Sequence, residues 1–317
     1  MAHAIIAREL VKTYRRPQQD PVNAVDGIDL EIDFGECYCL LGPNGAGKST
    51  TVEMLDGART PTSGELSVLG FVPARAPAAF RARIGVVVQE ATDGSHFTVA
   101  QTMRHLARIY PNPADCDELI AAVGLSEKAN DKVSSLSGGQ RRRLDVALGL
   151  VGRPEILFLD EPTTGFDPVS RRQFWDLIRR LHGDGTTIVL TTHYLDEAEA
   201  LADRIGIINH GVLIDEGPPD AIGGPFARVP RVRWVDEVGT DRVERTETPT
   251  ALISSLAPPD GGEITGLRVV RPSLEDVYVE LIGSADDAGT VSDAAAGAPT
   301  EQSPATADSP SAEVRSR

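Results

Sequence analysis

The stretch Gly42-Pro-Asn-Gly-Ala-Gly-Lys-Ser49 constrains this chain more than any other. It follows a short apolar run, Cys37-Tyr-Cys-Leu-Leu41, and precedes a segment, Thr50 to Leu55, that reads as a helix. A strand, a glycine-rich loop and a helix in that order fit G-x-x-x-x-G-K-[ST], a loop that wraps phosphate groups. Its glycines let successive backbone N–H groups curl round an anion with no Cβ in the way. The helix that follows turns its partly positive end to the same anion. Gly42, Pro43, Asn44, Gly45, Ala46 and Gly47 form the wrap. Lys48 is placed to reach the outer phosphates, the Ser49 hydroxyl to ligate Mg²⁺, and Thr50 to add a further phosphate contact.

A second apolar run, Ile156-Leu-Phe-Leu, ends in two acids, Asp160 and Glu161. A buried strand drives such acids to the carboxyl edge of a sheet, beside the phosphate loop, where ligands of α/β folds sit. Asp160 is suited to hold Mg²⁺ and Glu161 to polarise an attacking water as general base. Further strand-length apolar runs occur at Ile84 to Val88 and Thr186 to Leu190, and strands are also expected at Ala4 to Leu10 and Ile28 to Ile32. Between them lie helical patterns at 99–109, 117–123, 139–150, 169–181 and 194–202. Leu144, Ala147, Leu148 and Val151 fall on one face of the helix after Gln140. Strands alternating with helices predict an α/β layered domain with a mostly parallel sheet.

Leu136-Ser-Gly-Gly-Gln140 opens one of those helices. Ser137 has the place of an N-cap, and the two glycines leave backbone N–H groups at a positive helix end, a second anion site. One nucleotide does not need two such sites from one chain. The economical reading gives this one to the nucleotide held by another copy. Arg141-Arg-Arg143, next along, reads as a solvated helix face.

Near residue 217 the texture changes. Gly217-Pro-Pro-Asp and Gly223-Gly-Pro punctuate the chain, strands are expected at 231–235 and 266–270, and helices at 250–256 and 273–282. The predicted divisions are a phosphate-binding α/β domain at 1–217 with a helical subdomain at about 90–150, a small α+β extension at 218–283, and a disordered acidic tail at 284–317.

Composition narrows the function classes. The formal net charge is −16, which argues against sequence-independent nucleic-acid binding. The three cysteines, Cys37, Cys39 and Cys116, form no CxxC pair and read as small buried or reduced residues. No run of about 18 apolar residues is present, and the amino-terminus turns polar too early for a secretory segment, so a soluble cytoplasmic protein is expected.

Taken together, these motifs resemble the nucleotide-binding subunits of ABC transporters, over roughly residues 1–217. In that family the phosphate loop is Gly42 to Ser49, the Q-loop residue is Gln89 after Ile84-Gly-Val-Val-Val, the signature is Leu136 to Gln140, and the Walker B strand is Ile156 to Asp160 with Glu161 as the catalytic acid. The D-loop is Thr163-Thr-Gly-Phe-Asp167, with Phe166 where the family usually has Leu, and the switch histidine is His193. Tyr14, in Val-Lys-Thr-Tyr, matches the aromatic that stacks on adenine. Gln140-Arg-Arg-Arg-Leu-Asp, Thr192-His-Tyr-Leu-Asp-Glu-Ala-Glu and Pro272-Ser-Leu-Glu-Asp-Val-Tyr-Val-Glu-Leu resemble the daunorubicin-resistance type of drug and antibiotic exporter within the family.

The resemblance implies a P-loop NTPase fold, with ATP and Mg²⁺ as ligands. It implies an ATPase that powers export through a separate membrane subunit of the type-2 ABC permease class, from the cytoplasmic face of the membrane. Two copies would sandwich two ATP molecules, each between Gly42–Ser49 of one chain and Ser137, Gly138, Gly139 and Gln140 of the other. Lys48, Glu161 and His193 would be catalytic, Ser49, Gln89 and Asp160 would serve the metal, and Asp167 would lie across the dimer interface. The alternative is a soluble ABC ATPase acting on nucleic acid or ribosomes. No long coiled coil separates phosphate loop from signature, and each motif occurs once, which weighs against it.

Overall fold

The computed structural model describes residues 3–15, 17, 20–88, 96–236, 238–258 and 262–295, with side chains placed through Ser284. The chain opens with β1 (His3–Tyr14), β2 (Val22–Asp33), β3 (Cys37–Leu41), α1 (Lys48–Leu55) and β4 (Ser63–Val68). It continues through α2 (Ala78–Arg81), β5 (Ile84–Val87), α3 (Val99–Ala107), α4 (Cys116–Ala122) and α5 (Gly138–Leu150). Then come β6 (Ile156–Asp160), α6 (Pro168–Gly183), β7 (Thr187–Thr192), α7 (Leu195–Leu201), β8 (Arg204–Asn209) and β9 (Val212–Gly217). Last are β10 (Arg231–Val235), β11 (Asp241–Arg245), α8 (Pro249–Leu256), β12 (Arg268–Val270) and α9 (Leu274–Ala295).

A six-stranded sheet, in the order β5-β6-β7-β3-β8-β9, organises the molecule. Its first five strands are parallel, and only β9 runs against its neighbour. Every residue of β3 is buried, because both faces of this strand are covered. The pleat sends Cys37, Cys39 and Leu41 into one core and Tyr38 and Leu40 into another. The first core lies under α3, α5, α6 and α7. The second lies between the sheet, α1 and an antiparallel sheet of order β2-β1-β4. Burial pushes the Cys37 and Cys39 thiols upward, so both stay protonated and inert.

The carboxyl-terminal part forms a third sheet, β11-β10-β12, with α8 and α9. Leu274 and Val277 of α9 and Ile222 before β10 are buried in the first core. Glu280 of α9 pairs with Arg231 (2.9 Å) and Arg245 (3.4 Å) of the small sheet. α9 therefore joins the extension to the main body. It also runs to Ala295, through Gly283, where the sequence reading ended both helix and order. A Cβ at Gly283 would meet nothing within 4 Å, so no packing contact fixes a stop there. Residues 296–317 lie outside the described residues.

Candidate nucleotide site

β3 delivers the chain to the phosphate loop at the carboxyl edge of the sheet. The turn at Gly47 has φ 111°, and a Cβ there would stand 2.3 Å from the Ala24 carbonyl oxygen. Only glycine fits that position. Gly45, at φ 82°, faces open space instead. Gly47 then caps α1 with no side-chain hydrogen bond, and the first turn of α1 carries no acid. The first N–H groups of α1 are thus left to an anion. A cavity of about 310 Å³ lies in front of them, lined by Ala24, Asn44, Gly45, Gly47, Lys48, Ser49, Thr50 and Glu161.

Lys48 is almost fully buried, and its Nζ donates to the carbonyls of Gly42 (2.9 Å) and Pro43 (3.1 Å). The same ammonium lies 3.3 Å from Glu161 Oε1, and His193 Nδ1 lies 3.3 Å from that oxygen too. Burial raises the Glu161 pKa, but the Lys48 ammonium and then His193 outweigh it, and the carboxyl titrates below the usual carboxylate range. Glu161 therefore stands ionised between a cation and an imidazole. Its backbone has φ 43°, a left-handed conformation that costs a residue with a Cβ about 1–3 kcal/mol. Ser49 Oγ donates to Asp160 Oδ1 at 3.1 Å, so the end of β6 and the start of α1 meet.

Three further residues shape the acid turn. Thr191, on β7, donates through Oγ1 to Asp160 (2.5 Å) and accepts from the Glu161 N–H (3.0 Å), fixing both acids at once. Arg142 is buried, not part of a solvated face. It shares a helical stripe with buried Val146 and Leu150, the signal that would have found it. Burial lowers its pKa, with partial compensation by Asp145, Asp160 and Glu197. Glu197 is fully buried beside Leu201 one turn on, and accepts from Trp175 Nε1 at 3.1 Å. Burial raises its pKa, and the hydrogen bond from Trp175 works against that.

The remaining expected residues lie elsewhere. Ser137 is the N-cap of α5, in a reciprocal capping box with Gln140 (3.3 and 3.0 Å). Ser137 and Gly138 are exposed, and neither they nor Gly139 and Gln140 line the 310 Å³ cavity. Asp167 caps α6, accepting from the N–H groups of Val169 (2.9 Å) and Ser170 (3.0 Å) and from the Ser170 hydroxyl (2.5 Å). Those bonds hold its carboxyl below the usual range. Tyr14 ends β1 and does not line the cavity; the Arg59 guanidinium (5.2 Å) and Lys12 ammonium (5.8 Å) face its ring. Gln89 falls outside the described residues.

A phosphate cradle, a carboxylate pair and a separate capped glycine turn in one chain lead to comparison with known proteins. The ABC transporter family model matches residues 25–164. The daunorubicin/doxorubicin resistance ATP-binding protein DrrA of Streptomyces peucetius is 37% identical over 319 residues, covering 90% of this chain and 95% of that protein. The chain belongs to the ATP-binding subunits of ABC transporters.

A Nod factor export ATP-binding protein I of Burkholderia lata is 44% identical over 284 residues, covering 82% of this chain and 92% of that one. Among solved structures, an ATP-binding cassette captured as a dimer in a post-hydrolysis state with ADP and Pi superposes with a TM-score of 0.61 at 26% identity. That match covers 68% of this chain and 98% of the cassette. As a member of the family, the protein binds and hydrolyses ATP, and the P-loop NTPase fold follows from the same likeness. Its relatives are ATP-binding subunits of membrane transporters. Among the described residues no helix is long and apolar enough to cross a membrane.

Proposed function

We propose that this subunit hydrolyses ATP as a homodimer and thereby powers export of a drug, antibiotic or other amphipathic compound through a separate type-2 ABC permease, from the cytoplasmic face of the membrane. The observation that carries the dimer is the incompleteness of the single chain. Lys48, Ser49 and Glu161 line the phosphate cavity, and Ser137–Gln140, the other helix end built for an anion, does not. A second copy, head to tail, supplies the missing side. The cargo class rests on the likeness to resistance and export subunits.

Within each site, backbone N–H groups of the loop and α1 grip the β- and γ-phosphates, and Lys48 leaves its carbonyl partners to neutralise them. Tyr14 stacks on the adenine after swinging free of its cationic neighbours, and Thr50 supports the phosphate chain. Glu161, ionised at neutral pH, takes a proton from the attacking water, and His193, on the same carboxylate, orients the γ-phosphate. Asp167, at the head of α6, lies across the interface and couples the two sites. Ser49 and Asp160 would hold Mg²⁺, joined by Gln89 on the family pattern. The fit is sound: two hard oxygen donors converge within 3.1 Å, and Mg²⁺ is commonly held by one or two protein oxygens plus phosphates. Held by Ser49 and Asp160, a bound Mg²⁺ would supply charge neutralisation at the phosphates.

The test is turnover per chain against protein concentration. It is expected to fall on dilution as dimers dissociate. Glu161→Gln is expected to lower hydrolysis by ~10²–10⁴-fold while ATP still binds, and to sediment as a stable dimer in ATP. Undiminished turnover by dilute monomers, or a Glu161→Gln protein of normal activity, overturns the reading. Co-purification of ribosomes or DNA, in place of a polytopic membrane protein, would overturn the transport assignment.

A further inference from the structure

Arg142 has no part in the mechanism above, yet it is the most heavily bonded side chain around the acid turn. Its guanidinium is buried in α5 and donates inward to four backbone carbonyls. Nε reaches Pro162 (3.1 Å), Nη2 reaches Asp160 (2.6 Å) and Glu161 (3.4 Å), and Nη1 reaches Val88. Those oxygens belong to the turn that carries Glu161 and to Val88, which directly follows β5. From the opposite side, Thr191 of β7 holds the Glu161 N–H through both its hydroxyl and its carbonyl (3.0 and 3.2 Å). The left-handed Glu161 backbone is thus clamped between β7 and α5. A strained conformation persists only where its surroundings over-determine it. A planar guanidinium spreads five N–H donors over a rigid fork and can meet four fixed carbonyls, whereas a lysine ammonium offers three donors from a single point.

The helix that supplies this clamp begins at Ser137, five residues earlier, with the capped turn assigned to a partner copy's nucleotide. One rigid element therefore touches two centres. We propose that Arg142 is a positioning residue that sets the Glu161 turn and links it to the signature turn of its own chain, so that closure of Ser137–Gln140 on the partner's ATP aligns the base in the other site. This rests on the homodimer and general-base reading above.

The experiment compares Arg142→Met, Arg142→Lys and Arg142→Gln in the full-length protein. It measures kcat, ATP affinity, the Hill coefficient of hydrolysis and the thermal midpoint. Arg142→Met keeps the apolar stem without donors. It is expected to lose ~10²-fold in kcat, the scale of a misplaced catalytic group, with ATP affinity unchanged and the Hill coefficient falling toward one. Arg142→Lys keeps the charge without the fork and is expected to fall nearly as far; it also serves if the methionine variant does not fold. Arg142→Gln returns two amide donors and is expected to recover part of the loss. A lysine variant with wild-type kcat overturns the proposal, as does a loss that glutamine leaves wholly unrelieved. A lowered kcat with an unchanged Hill coefficient overturns the link between sites. Glu161→Gln, run alongside, separates the two failures: if it hydrolyses normally the general-base reading falls, and if it is inactive while the Arg142 variants turn over normally only this inference does.

Discussion

α1 and α5 both start from glycine-rich turns, but their amino-terminal ends are finished in opposite ways. Gly47 leaves the end of α1 without a side-chain cap, and Lys48 waits beside it on two carbonyls. Ser137 and Gln140 close the end of α5 with a capping box, in an exposed position outside the phosphate cavity. An open helix end keeps its donors for a ligand that arrives; a closed one keeps its shape. On the function proposed above, the difference divides the work: phosphate affinity belongs to the single chain, and the second end serves what another copy brings.

The sharpest way to break this comparison is Lys48→Ala. Removing a buried ammonium from the α1 end is expected to weaken ATP binding by ~10²-fold, the equivalent of about 3 kcal/mol, in a calorimetric titration. Unchanged affinity would mean that the α1 end is not the phosphate site. Next in size is Gly47→Ala, which drives a methyl toward the Ala24 carbonyl at a left-handed φ. It is expected to cost about 1–3 kcal/mol in denaturant unfolding, and to weaken ATP binding with it. Ser137→Ala attacks the other end. Loss of the cap is expected to cost about 1 kcal/mol and to slow hydrolysis, with ATP affinity of the dilute single chain unchanged. An affinity loss like that of Lys48→Ala would erase the contrast.

A pH-dependent effect concerns the far end of α1. Asp56 follows its last turn, and burial pushes its carboxyl up to about 6, against a backbone hydrogen bond from Ala58 (2.7 Å). A folded-state pKa above the unfolded one means that the native chain holds the proton longer. Stability from this group is therefore full below about pH 4 and declines as pH rises toward 6. Asp56→Asn is expected to flatten that part of a thermal-midpoint profile between pH 4 and 7. A variant profile with the wild-type slope would show that Asp56 does not titrate there.

Much of the fold was legible because its signals are local. A strand covered on both faces is a continuous apolar run, and β3, β6 and β7 stand where such runs stand. The phosphate loop needs glycine at Gly47 and a cation at Lys48, and both needs show in the letters. β4, β8, β9 and β11 were not read. β9 is only half covered and β11 fully exposed, so neither carries the pattern that burial imposes. Arg142, expected on a solvated face, is buried for a related cause: a charged residue looks solvated until the neighbours that neutralise it are known. Tyr14 shows the reverse, since its motif is plain and its ring lies among Arg59 and Lys12.

By itself the sequence determined the chemistry available to this protein: a loop that can hold phosphate, two acids at the end of a buried strand and a capped glycine turn. These rest on spacing within a few residues, where backbone geometry leaves little choice. The tertiary structure alone decided which of them meet. It set Ser49 against Asp160, gathered Lys48 and His193 on one oxygen of Glu161, and kept Ser137 outside. Those outcomes depend on strand order and helix packing, and the partners stand far apart along the chain, beyond the reach of any local pattern.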